Sequence, residues 1–285
     1  MEKQFKKQIL VAGLLSIVFY SCVNLRAVND VSLTSLHTLA RFEELNYSFT
    51  KHCTDRCVFE LIRKFEIKRT TDCNCNDYKK ADTVTVLIYN SIRGYFDGLA
   101  HLSEGKLTNY HLDPLTASLT EGSFGNLKID KKQVDAFSAI SGILLNASTG
   151  IYRKNKIKNY VEQANTPLQI LLNKFQFILQ SNLEDELNFK KEKLYAFYSE
   201  LLMNTSLNEF EKGKASREYY EQISDIDIKQ QQIKVFAKSL MDIAAAHQKI
   251  YDNRNKISGK ELRNSLISIE SNLEDIISQF NQLKK

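Results

Sequence analysis

Cys53 and Cys57, followed by Cys73 and Cys75, form the densest cluster of reactive side chains in the chain. The first two stand one turn apart on a predicted helix, so both thiols project from the same side. Cys73 and Cys75 lie in the polar stretch from Lys68 to Asp77. Four cysteines admit three pairings. A bridge between Cys73 and Cys75 is geometrically awkward, and two bridges from helix to loop are easier. The nested pairing, Cys57 with Cys73 and Cys53 with Cys75, suits a chain that leaves a helix and folds back along it, although spacing alone does not fix it. The competing chemistry is a zinc site with His52 adjacent. Four thiolates suit tetrahedral zinc, but structural sites more often use two-residue gaps than the three- and one-residue gaps found here.

A second candidate is the polar pair Arg93 and Asp97, one helical turn apart beside Tyr89 and two further aromatics, Tyr95 and Phe96. On a buried face these residues would make a polar spot in an apolar wall, able to bind a ligand. On an exposed face they are an ordinary intrahelical ion pair. His247 occupies a core position of its helical run, which points to a satisfied core histidine. His37, His52, His101 and His111 are scattered and form no metal-ligand spacing. Ser48-Lys51 and Ser103-Lys106 match the Ser-x-x-Lys spacing of penicillin-recognising enzymes, but the companion motifs are missing. No nucleophile elbow, phosphate loop, zincin helix or dinucleotide fingerprint occurs. The residues therefore point to no catalytic set, no metal site and no cofactor.

The elements that would position these residues are helices. Only 10 Gly and 2 Pro occur in 285 residues, far too few for the tight turns that sheets and barrels require. Asp30 can cap a first helix running towards Lys68, with Leu36, Leu39, Phe42, Leu45, Phe49 and Cys53 on one face. Val84, Ile88, Ile92, Tyr95, Leu99 and Leu102 mark a second. The region 103–129 is irregular, with one short helix expected from Pro114 to Glu121. Asp130 and Gln133 read as a capping box opening a third helix. That helix is small-sided through Ala139, Ser141, Gly142, Ala147, Ser148 and Gly150. Thr166-Pro167 reads as the start of a fourth helix, continuing through Leu194 and Leu201. After a turn at Asn204–Asn208, a fifth helix is expected to kink near Gly213 or Ser224-Asp225. The runs Ile233 to Ile250 and Leu262 to Leu283 keep spacings of three and four, with Ser258 and Glu261 as a capping box between them. Together these predict an all-α fold: an elongated antiparallel helical bundle ending in a coiled-coil-like hairpin.

The amino-terminus carries Lys3, Lys6 and Lys7, then the apolar run Ile9 to Tyr20, then Ser21-Cys22. A positive start, a short apolar core and a small residue before the cut are the anatomy of an export signal. Its apolar run is too short to span a bilayer as a helix, which takes about 20 residues. Ser21-Cys22 resembles the lipobox of bacterial lipoproteins, in which the Cys becomes the lipidated first residue. Phe19 and Tyr20 depart from the usual residues at the preceding positions, a looseness that resembles lipoproteins of the Bacteroidetes. The resemblance covers about the first 25 residues and implies lipidation at Cys22. Val23 in place of Asp implies the outer membrane. An exported location favours disulfides over zinc at the four remaining cysteines.

Removing residues 1–21 takes away three lysines and one glutamate, lowering the formal charge from +5 to +3, an excess too small to indicate nucleic acid. The expected organisation is a signal peptide (1–21), a tether (22–30), a disulfide-stapled helical region (31–165) and a helical bundle with the hairpin (166–285), with 31–285 able to form one domain. The expected role is a non-enzymatic binding or scaffolding protein held on the membrane by its lipid, facing the periplasm or the cell surface. The alternative is a small-ligand module with a pocket between the second and third helices. The basic run Arg153, Lys154, Lys156 and Lys158 could meet anionic headgroups or be a solvated helix end.

Overall fold

The computed structural model describes residues 25–104, 119–147, 153–257 and 259–284; the expected signal at 1–21, Cys22, His111, Pro114, Ser148, Gly150 and Ser258 lie outside them. The elements are α1 (Leu25–Leu39), α2 (Arg41–Glu44), α3 (Phe49–Arg63), a 3-10 turn (Thr70–Asp72), α4 (Asn76–Glu104), β1 (Gly122–Phe124), β2 (Leu127–Ile129), α5 (Lys131–Ala147), α6 (Arg153–Phe177), a π-helical segment (Ile178–Leu183), α7 (Glu184–Met203), α8 (Glu209–Asp252) and α9 (Lys260–Gln282). The all-α bundle is as the periodicities predict.

The hairpin of α8 and α9 buries Ile233, Phe236, Leu240, Ile243, His247 and Ile250 on one side and Leu262, Leu266, Leu273, Ile276 and Phe280 on the other. At 44 residues, α8 is about 66 Å long at 1.5 Å per residue, which makes the bundle elongated. Asn208 and Glu211 close a reciprocal capping box at its start.

The differences from the sequence reading have local causes. The first predicted helix breaks into three because Asn46 adopts a left-handed φ of 45° and Ser48 caps α3 by accepting the Lys51 N–H. α1 already begins at Leu25, with Val28 and Val31 fully buried, so Asp30 sits inside a helix and not at its cap. Pro167 also lies inside a helix. The buried stripe Ile157, Val161, Ala164, Leu168, Leu171 and Phe175 runs past it unbroken, and burial of that stripe outweighs the backbone hydrogen bond a proline forgoes. Residues 153–203 are thus one helical rod, relaxed by the π segment, and no break separates the two halves at 165. One hydrophobic core runs from Val28 to Phe280.

α8 passes through Gly213 and Ser224-Asp225 as continuous helix, because α7 packs along it: Lys191 pairs with Asp227 and the Tyr198 hydroxyl meets Gln222. The region read as irregular contains a small antiparallel hairpin pairing Gly122 with Ile129. Gly125 takes the left-handed φ of 60° in its turn. Residues 119–121, the end of the expected short helix, are not helical. Half of the Asp130–Gln133 box forms, the Asp130 N–H donating to Gln133 Oε1 at 2.9 Å. α9 is capped by Gly259 without a side-chain bond.

The cysteines pair as a nest: Cys53 with Cys75 and Cys57 with Cys73, with Cα separations of 5.9 and 6.1 Å. Zinc coordination by the four thiolates is thereby displaced. The bridges fasten α3 to the strap leading into α4 and close the loop 58–72. For the inner loop, 16 residues in separation, chain-entropy arguments give about 3 kcal/mol. Replacing Cys57 and Cys73 together by Ser, with the outer bridge left in place, should lower unfolding stability by about 2 kcal/mol in denaturant titrations, less than for an isolated loop because Cys53–Cys75 already restricts the unfolded chain; an unchanged midpoint would show that the inner bridge adds nothing to the outer one.

Candidate functional site

Behind the α2–α3 turn lies a buried polar cluster. Tyr47, just before α3, places its hydroxyl 3.1 Å from Nδ1 of His52, and Glu186 of α7 brings Oε2 to 2.6 Å from Nε2 of the same ring. The carboxylate stands off the N–H direction, so the contact is a close polar approach and not an aligned hydrogen bond. All three residues are buried. A hydroxyl, an imidazole and a carboxylate in series have the order of an acid–base relay. The hydroxyl, however, belongs to a tyrosine whose pKa is raised, first by burial and then by the charges of Glu186 and Asp55. Such a group holds its proton and is a poor nucleophile, so the chain of contacts works as a clamp between α3 and α7.

A cleft of about 390 Å³ opens beside this cluster, with Glu43, Asn46 and Tyr47 on one side, Asp82 and Val86 of α4 on the other, and Leu183 of the π segment. That volume is within the range of small-molecule sites. Its two carboxylates are already engaged. Asp82 accepts the backbone N–H groups of Phe49 and Thr50 at 2.8 and 2.9 Å, compensating the orphan donors at the start of α3. Glu43 accepts the Tyr89 hydroxyl at 3.0 Å and lies 3.6 Å from Arg93. The pKa of Tyr89 is raised by burial first and by its bond to Glu43 second.

The predicted trio is therefore divided. Tyr89 and Arg93 converge on Glu43 at the cleft edge, whereas Asp97 turns to His101, 3.5 Å from its Nδ1. Arg93 is exposed, and the polar spot in an apolar wall is not formed. Nor do the small residues of α5 line a pocket against α4. Ala139 is exposed and Ser141 and Gly142 are half-buried, while Ile140 and Leu144 fill the contact. A Cβ on Gly94 would meet Leu144 Cδ1 at 3.2 Å.

His247 is a satisfied core residue, as its position in the run suggests. Its Nδ1 lies 3.1 Å from Asn165 Oδ1, which assigns the ring proton to Nδ1. The Tyr95 hydroxyl then donates to Nε2 at 2.7 Å, and the Tyr160 hydroxyl donates to the Tyr95 carbonyl at 2.9 Å. Tyr95 and Tyr160 stack at 4.8 Å. These bonds tie α4, α6 and α8 together at mid-bundle.

Among the described residues, no group of three or more His, Cys, Asp and Glu side chains is placed to hold a metal ion, and no helix is long and apolar enough to cross a membrane. No protein-family model matches the chain, no curated protein matches it, and no solved structure matches it.

Tyr47 and Glu186 are not legible as a pair in the sequence, since 139 positions separate them and only the parallel packing of α3 and α7 unites them. His52 is visible there only as a neighbour of Cys53.

Burial lowers the His247 pKa from 6.5 to about 3. The unfolded chain takes up a proton near pH 6.5 and the folded one does not, so His247 contributes its full stability above pH 6.5 and loses it as pH falls towards 3. Between pH 6.5 and 5 the loss should approach about 1.4 kcal/mol per pH unit. His247→Leu should remove that part of the slope in denaturation series across this range; an unchanged slope would show that the imidazole is protonated inside the fold.

Proposed function

We propose that the chain is an exported, lipid-anchored protein of the bacterial envelope that acts as a non-enzymatic binding or scaffolding bundle, held on the outer membrane and facing the periplasm or the cell surface. The observation that supports this most is the cysteine pairing. Four of the five cysteines are joined two by two, a state that persists in oxidising compartments. The fifth is Cys22, which directly follows Ser21 at the end of the export signal. One continuous core, with the buried Tyr47 and Glu186 set against His52 and the buried Tyr95 against His247 as contacts between helices, supports a body that presents surfaces over one that performs chemistry.

The direction of the bundle fits tethering from one end. Asn29 of α1 donates to the Ala100 carbonyl near the end of α4, so Leu25 lies at the opposite end of α4 from the disulfides. The 29 residues of α4 put about 43 Å between those ends. A chain fixed before Leu25 would carry the disulfide-bound loop outward. Binding of a small ligand is the second reading, and the cleft beside Tyr47 is its supporting observation. It ranks lower because Glu43 and Asp82 are already committed to tyrosine, arginine and backbone partners.

Intact-mass measurement of membrane-extracted protein tests the leading reading. The wild-type chain should lack residues 1–21 and carry diacylglycerol on Cys22, and Cys22→Ala should lose both changes. An uncleaved, unmodified wild-type chain would contradict the anchor.

A further inference from the structure

The loop that the disulfides close has an unusual tip. Glu66 N–H donates to the Leu61 carbonyl at 2.9 Å and Phe65 N–H to the Ile62 carbonyl at 3.1 Å, the bond pair of a Schellman motif ending α3. Its left-handed position, with φ of 55°, is where glycine is usual. Here it carries phenylalanine, and the ring is 96% exposed. Ile67 is 102% and Ile62 56% exposed. A bulky side chain in a backbone region that disfavours it, packed against nothing, is unfavourable for the isolated protein.

Cations surround these apolar groups. Arg63, Lys64, Lys68 and Arg69 are all exposed. Against them stand Glu60, 3.6 Å from Arg63, Glu66, 2.6 Å from Lys68, and Asp72, whose charge also acts on Lys68; the closed loop 58–72 carries +1, with all four cations at 63–69 beside Phe65 and Ile67. A second apolar pair lies at the same end of the molecule. α3 and α7 run parallel, shown by His52 against Glu186, Asp55 against Lys190 and Phe59 against Phe197. The α7–α8 turn therefore emerges at the end that bears the tip, with Met203 83% and Phe210 81% exposed.

We propose that loop 62–69 is a membrane-contact element: Phe65 and Ile67 enter the boundary between headgroups and acyl chains of an anionic bilayer, while the flanking cations meet lipid phosphates. Apolar groups fully exposed at a terminal loop and ringed by basic residues match the chemistry of that boundary. The fully exposed Phe65 and Ile67 favour a lipid surface over a protein: the cleft at this end lies at the loop's base, lined by Cys57, Glu60, Cys73 and Phe189, and neither side chain lines it. The bridges Cys53–Cys75 and Cys57–Cys73 hold the loop's base rigid, so little order remains to be lost on contact. This goes beyond the tethering reading and does not require lipidation. With both in place, the bundle would stand between two surfaces.

The chain has no tryptophan, so Phe65→Trp in the full chain makes a single fluorescent reporter at the tip. A separate Leu33→Trp chain, substituted at a half-exposed site on α1, reports the other end. Vesicles containing phosphatidylglycerol should shift the emission of the Phe65→Trp chain to the blue and expose its indole to quenching by brominated acyl chains; phosphatidylcholine vesicles should not. Adding Lys64→Gln and Arg69→Gln should weaken partitioning about 30-fold. Phe65→Gly should weaken partitioning at least tenfold while raising the thermal midpoint by about 2 °C. The proposal is overturned if anionic vesicles leave the tip reporter's emission unmoved, if phosphatidylcholine shifts it equally, or if Phe65→Gly destabilises the fold. A shift in the Leu33→Trp chain alone would also overturn it, by placing lipid contact at the other end. Retention of the tip reporter's shift when Cys22→Ala is added separates this contact from the anchor.

Discussion

The two bridges between α3 and the strap before α4 are the constraint on which the remaining features depend. They reverse the chain at one end of the bundle, set α3 antiparallel to α4, and hold the loop 58–72 as a closed projection. Without them this segment would be a long polar excursion with few buried side chains, since residues 62–72 are all exposed. A loop of that kind has little packing to offset its conformational entropy. The covalent links supply what the core cannot, and they also carry the inference about compartment.

Away from that end, order comes from one continuous core and from polar groups placed inside it. The Tyr47–His52–Glu186 contacts fasten α3 to α7, and the Tyr95–His247–Asn165 contacts join α4, α6 and α8. Buried polar groups of this kind are costly if any partner is lost, so they select one register among the several that smooth Leu and Ile stripes would permit. The first cluster looks like a reactive relay in composition, but the environment of Tyr47 opposes ionisation. The same burial that makes the cluster specific as a fastener removes its reactivity.

Periodic parts of the fold are legible in the sequence, and what depends on context is not. The α8–α9 hairpin is readable because Ile233 to Ile250 and Leu262 to Leu283 repeat without interruption. The nested cysteines are readable because chain reversal favours that pairing. Pro167 and Gly213 mislead because local propensity is overruled by burial along neighbouring helices. Asn46 and Ser48 carry a break signal that the longer apolar spacing obscures. At the candidate site, spacing finds Tyr89 and Arg93 but assigns them the wrong acid: their partner, Glu43, comes from a helix nearly 50 positions earlier, a relation that spacing does not encode. Phe65 and Ile67 are absorbed into a predicted helix end, although an aromatic and an aliphatic between cations beside a cysteine loop are visible signs of an exposed tip.

The loop geometry and the inference about compartment rest on the nested cysteine pairing, which disulfide mapping of the protein under non-reducing conditions tests most directly. Trypsin cuts after Arg56 and separates Cys53 from Cys57, and fragmentation between Cys73 and Cys75 completes the assignment. The account predicts the links Cys53–Cys75 and Cys57–Cys73 with no free thiol among the four. Crossed links, reduced thiols or a bound zinc ion would contradict it.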